Sequence, residues 1–199
     1  MKLGLMWRAI QCARAGRMGD AAALKGASTG GKAYPEVREK LARLATPFPA
    51  IDLEALRRLP EGTFGREYAR FMDDEGLMPF VVSREIAEEL APTSCLEVRY
   101  PLLHDAFHVL LGFDASLVGE MGVWAFVSAQ HYSPAFDFGA RLGRWLYPLV
   151  IPRQRAALRA ASARGEALAR QARCLIAEPL EDLFALPLKD ARARLGVEG

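Results

Sequence analysis

Apolar positions recur every three or four residues along nearly the whole chain, and no stretch alternates with the period of two of a half-buried strand. The pattern predicts an all-α fold, a single-domain multi-helix bundle over residues 1–199. Punctuation divides it. After a first helix, the Gly/Ala/Ser stretch from Gly26 to Ala33 predicts a loop. A helix opens at Pro35 and runs to about Ala45, closed by Pro47 and Pro49. Asp52 caps a short helix ending at Pro60. Thr63 caps another through Met72, with Gly76 as its stop. Ser83 caps a helix to Leu90, before Pro92. Two strongly apolar helices follow, at roughly 93–111 and 116–131, forming a candidate metal site on adjacent helices. Arg153 to Arg173 predicts a long amphipathic helix, and two short segments finish the chain.

The two apolar helices carry the chemistry. The chain has three histidines, and two of them, His104 and His108, stand four apart with Asp105 between. A helix advances about 100° per residue, so these three side chains fall within one arc of roughly 100°. On an unbroken helix Glu120 would be rotated from His108 by about 120°. However, Gly112-Phe113-Asp114-Ala115-Ser116 supplies a C′ glycine stop and an N-cap at Asp114 or Ser116, so a helix–turn–helix would return Glu120 to the histidines. A histidine pair at this spacing also arises by chance, as packed or surface residues. Burying such groups unpartnered among Leu102, Leu103, Phe107 and Val109 would cost several kcal/mol, so the four polar groups are better explained by one another. His104, His108 and Glu120 are therefore expected to converge on one divalent metal ion (Zn, Fe, Co or Mn), with Asp105 as fourth ligand or as partner of a ligand.

Composition narrows the remaining classes. A formal charge of +2 over 199 residues gives no basis for nucleic-acid binding as a main role. Cys12, Cys95 and Cys174 form no CxxC pair, so neither a disulfide framework nor a cysteine zinc site is predicted. No run approaches the roughly 18 apolar residues of a membrane span, and the N-terminus lacks a secretory h-region. Residues 1–35 carry Lys2, Arg8, Arg14, Arg17, Lys25 and Lys32 against Asp20 alone. They read either as a basic element resting on anionic lipid or as an ordinary first helix with a solvated face. Beyond Glu120, the aromatics Trp124, Phe136, Trp145 and Tyr147 are candidates to line an apolar ligand tunnel, or else belong to the core. Arg141 and Arg144 are candidates for an anionic head group, or form a solvated basic face.

His104-Asp105-x-x-His108, eleven residues and Glu120 resembles the metal motif of the Coq-four family of coenzyme Q (ubiquinone) biosynthesis proteins. Gly62-Thr63-Phe64-Gly65-Arg66-Glu67-Tyr68 is similar to that family's Gly-Thr-x-Gly helix start, and Glu178-Pro179-Leu180-Glu181-Asp182-Leu183-Phe184 with Pro187-Leu188 is similar to its ending. The resemblance spans about residues 60–197; the first 50 residues match nothing in it. It implies a metal-dependent helical protein at a membrane face, linked to C1 decarboxylation and hydroxylation of a polyprenylated hydroxybenzoate and to organising other quinone-biosynthesis proteins. With no transit peptide evident, it also implies a cytoplasmic protein, peripheral on the inner face of the cell membrane, and a homodimer as one assembly state. The alternative is a non-catalytic prenyl-lipid-binding scaffold with a structural metal. A phosphohydrolase of the HD class would need a histidine before residue 104, and the chain has none; an HExxH peptidase would need Glu where Asp105 stands.

Overall fold

A computed structural model describes residues 2–29 and 32–198. Ten α-helices run through them in the order α1 (Leu3–Arg14), α2 (Met18–Thr29), α3 (Pro35–Leu41), α4 (Leu53–Arg57), α5 (Phe64–Asp74), α6 (Arg84–Leu111), α7 (Leu117–Ala129), α8 (Pro134–Val150), α9 (Arg155–Gln171) and α10 (Leu188–Leu195). No strand occurs among the described residues; an isolated bridge joins Thr63 to Pro187. One hydrophobic cluster runs from Ala9 to Val197, so both ends of the chain contribute to a common core.

Two sequence expectations need correction. The loop expected from Gly26 to Ala33 is helical as far as Thr29, because α2 packs its small residues closely against α6: a Cβ on Gly26 would lie 3.0 Å from Glu97 Cβ. Gly30 and Gly31 lie outside the described residues. The helix from Pro35 ends at Leu41, short of Ala45. The boundary expected near Pro92 is present: Ser94 leaves helical geometry at φ −143° and ψ 36°, a kink that divides α6 into two helical runs. Pro92 removes one donor and crowds the preceding turn. The caps fare better. Asp52 accepts from the Ala55 amide and Thr63 from the Arg66 amide, starting α4 and α5 where their side chains predict.

Buried arginines hold α6 in place. Arg99 is wholly buried and donates to the carbonyls of Thr46, Pro47, Ile176 and Glu178, tying α6 to two distant segments. At the other end, Arg164 and Arg192 donate to the carbonyls of Val109, Leu110, Leu111 and Gly112. These are the carbonyls a helix C-terminus leaves open, and a cation there also opposes the helix dipole. The end of α6 that bears His108 is thus braced from α9 and α10. Meanwhile α7 settles against α9 through glycines: a Cβ on Gly165 would come within 2.2 Å of the Gly122 carbonyl oxygen.

Candidate metal centre

The turn between α6 and α7 builds the site. Gly112 adopts φ +67°, the left-handed conformation that suits a glycine C′ stop, and closes α6. Asp114 Oδ1 accepts from the Ser116 amide and hydroxyl, and Ser116 Oγ in turn accepts from the Gly119 amide, so Ser116 is the N-cap of α7. This reversal carries Glu120 back over α6. Its carboxylate lies 3.4 Å from His104 Nε2 through one oxygen and 3.4 Å from His108 Nε2 through the other.

The imidazoles are oriented by their opposite nitrogens. His108 Nδ1 sits 3.0 Å from the Asp114 carbonyl oxygen. A carbonyl can only accept, so Nδ1 carries a proton and Nε2 is the nitrogen that faces Glu120, free to bind a metal ion once it sheds any proton. His104 Nδ1 lies 3.3 Å from Asp105 Oδ1, again an acceptor, with the same consequence. The pattern is that of metal-ligating histidines, whose second nitrogen is held by an oxygen. One ligand atom from each of His104, His108 and Glu120 lies within 4.8 Å of the others, and metal–ligand bonds of about 2 Å would draw them together around a shared ion. His108 is 1% exposed and stacks on Phe71. Asp105 is not among the converging atoms. One residue beyond His104, it sits about 100° around the helix, at the edge of the arc, and serves His104 instead.

Electrostatics follow from this packing. Burial alone would lower the His104 pKa, but hydrogen bonds to Asp105 and Glu120 and their charges outweigh it and raise the value to about 9. Burial alone would raise Glu120, yet the two histidines hold it down at about 2. Without metal, the centre is an imidazolium–carboxylate pair with a proton where an ion would sit.

One wall of a cavity of about 810 Å³ is formed by His104, Asp105 and Glu120. Its lining is mostly apolar, and it also takes in Trp124, Phe136, Tyr100 and residues of α2 and the segment after α5. Of the aromatic and basic candidates, Trp124 and Phe136 enter this lining; Arg141, Arg144, Trp145 and Tyr147 do not. The register of α8 separates them, because Ala135, Phe136 and Gly139 turn inward. Trp145 is 67% exposed; Arg144 pairs with Glu166, and the two line a separate 370 Å³ cavity with Tyr147. Arg141 donates to the Asp137 carbonyl. Sequence reasoning missed Tyr100, which the i, i+4 spacing to His104 would have flagged. It had no signal for Ala22, Lys25 or Met78, which reach the cavity only through the packing of α2 and the chain after α5. In the basic N-terminal region, Arg8 pairs with Glu89 and Arg17 with Asp20.

Comparison with known proteins matches residues 5–199 to the family model of the coenzyme Q (ubiquinone) biosynthesis protein Coq4. The chain belongs to this family. The match reaches far into the N-terminal 50 residues, beyond the span over which the motifs alone resemble it. Among Coq4 relatives, a ubiquinone biosynthesis protein COQ4 homolog of Nematostella vectensis, named as mitochondrial, is 40% identical over 117 residues, 55% of this chain and 52% of that protein. Its Danio rerio counterpart is 30% identical over 199 residues, 90% of this chain and 69% of that protein. For the first two such relatives, the chain spans about half their length. A crystal structure of a Nostoc punctiforme protein described as a candidate ubiquinone biosynthesis protein superposes with a TM-score of 0.65 at 26% identity, over 100% of this chain and 97% of the other. At the end of α7, His131 takes a left-handed φ of 52°.

Proposed function

We propose that this Coq4-family chain acts in ubiquinone biosynthesis as a metal-dependent enzyme on a polyprenylated hydroxybenzoate, removing the C1 carboxyl group and introducing hydroxyl. The observation that carries the reading is the His104–His108–Glu120 set, with both Nε2 atoms aimed at one carboxylate in the wall of a mostly apolar cavity. Two imidazoles and one carboxylate suit Zn, Fe, Co or Mn. Three protein ligands with Asp105 set apart favour an open, catalytic site over the closed four-ligand sites of structural zinc. When bound, the ion would supply Lewis acidity toward a carboxylate or phenolate and, if redox-active, a means of engaging dioxygen. The residues of the chain hold the imidazole tautomers, surround the ring with Trp124 and Phe136, and leave apolar room for a tail.

A scaffold role is the second reading, in which a prenyl lipid is held and other quinone-biosynthesis proteins, a second copy or a membrane surface dock outside. The outward face of α8 supports it: Phe138, Leu142, Trp145 and Leu149 form one exposed apolar stripe. No helix among the described residues is long and apolar enough to cross a membrane; on this reading the α8 stripe would meet the inner face of the cell membrane peripherally.

Metal analysis of the purified protein is the first test, with about one equivalent expected in wild type and less than a tenth in H104A/H108A. Full metal in the double variant would sink the metal reading. The second test is mass spectrometry of organic extracts, together with turnover of the carboxylated precursor under air with each metal. Metal binding without turnover would leave the scaffold.

A further inference from the structure

Among the described residues, two buried side-chain oxygens lack a hydrogen-bond partner, the hydroxyls of Tyr68 and Tyr100. A buried hydroxyl without an acceptor opposes folding, so such a group points to a role beyond packing. The two differ in position. Tyr68 is fully buried against Phe184, within reach of the Asp105 charge but outside the cavity lining. Tyr100 lies one helical turn before His104 on the cavity face of α6, its ring centroid 5.4 Å from that imidazole and 4.5 Å from Phe136. A phenol ordinarily keeps its proton at neutral pH, so the Tyr100 hydroxyl is a donor as well as an acceptor. The nearest polar groups on α6 are already engaged: His104 holds Asp105 through one nitrogen and faces Glu120 through the other.

We infer that the Tyr100 hydroxyl is the hydrogen-bond donor to an oxyanion, the carboxylate or phenolate of an aromatic acid bound at the His104–His108–Glu120 centre. This assignment rests on the metal reading proposed above. A phenol donating to a charged oxygen in an apolar cavity makes a short, strong bond, and its fixed ring would orient the acid against the metal face. Tyr68 provides an internal control, an orphan hydroxyl of the same kind outside the cavity.

The test uses full-length protein loaded with cobalt(II), whose visible spectrum reports ligation, titrated with 4-hydroxybenzoate. Y100F is expected to retain the cobalt of wild type and to weaken 4-hydroxybenzoate binding about tenfold, while Y68F leaves binding within about twofold. Without ligand, Y100F should melt at or above the wild-type temperature, since it removes an unbonded hydroxyl. Equal affinity in Y100F and wild type, an equal loss in Y68F, or a fall in the ligand-free melting temperature of Y100F would overturn the assignment and leave the metal reading standing. Failure of wild type to take up cobalt would overturn both. Should Y100F not fold, tyrosine-labelled wild type in the zinc form gives the answer: 4-hydroxybenzoate must shift a phenol carbon resonance, and an unmoved set overturns the assignment.

Discussion

Helices α6 and α8 are built on opposite plans. In α6 polar groups are buried among apolar ones: Arg99 is wholly buried and His108 is 1% exposed, and both are hydrogen-bonded within the protein. In α8 apolar groups point outward: its buried residues are Ala140 and Gly143, while Phe138, Trp145, Leu149 and Val150 are each more than half exposed. The first helix buries polar groups among its many apolar ones, and the second leaves large apolar groups in water. Buried polar and exposed large apolar residues are the two informative departures from ordinary packing, and here they separate an internal site from an external surface.

The sharpest way to break this contrast is through stability. F107A, on the inward side of α6 where Phe107 is 0% exposed, is expected to cost about 3–5 kcal/mol, as large-to-small core changes do. W145A, on the outer face of α8, should stay within about 0.5 kcal/mol. Urea denaturation of both variants measures the difference. A comparable loss in W145A would mean that α8 is covered in solution.

The pH dependence of metal binding sharpens the inward half. With the His104 pKa raised to about 9, a metal ion must displace a proton at any lower pH. Affinity should therefore climb by up to roughly tenfold per pH unit toward pH 9 and flatten above it. In the metal-free protein the sign is opposite. A raised histidine pKa contributes stability in full below about 6.5, and that contribution is lost as pH rises through 9. Isothermal titration between pH 6 and 9.5 checks the first statement; a flat profile would show that the imidazolium pair does not form.

The smallest effect concerns Glu97, on α6 at the cavity edge, whose carboxyl is pushed up to about 7 by burial. A raised carboxyl pKa contributes stability at low pH that disappears as pH rises from about 4.5 through 7. E97Q should thus be neutral at pH 5 and raise the melting temperature by a few degrees at pH 8. An equal shift at both values would point to packing and not to charge.

Helix identity, the Asp52 and Thr63 caps, a cap at Asp114 or Ser116, the Gly112 stop and the return of Glu120 toward the histidines were legible in the sequence, because each depends on residues near one another along the chain. The metal-type triad was legible for the same reason: it is two residues on one helix face and a third a short, punctuated turn away. Other features came from contacts between residues far apart in the chain. Asp105 was set aside from the triad by side-chain placement, and Arg99 found its carbonyl partners in segments far along the chain. The face α8 shows to the cavity was likewise a tertiary choice. An apolar stripe states that a helix has a side to bury, and only packing against α7 and α9 decides which side it buries and how much stays in water.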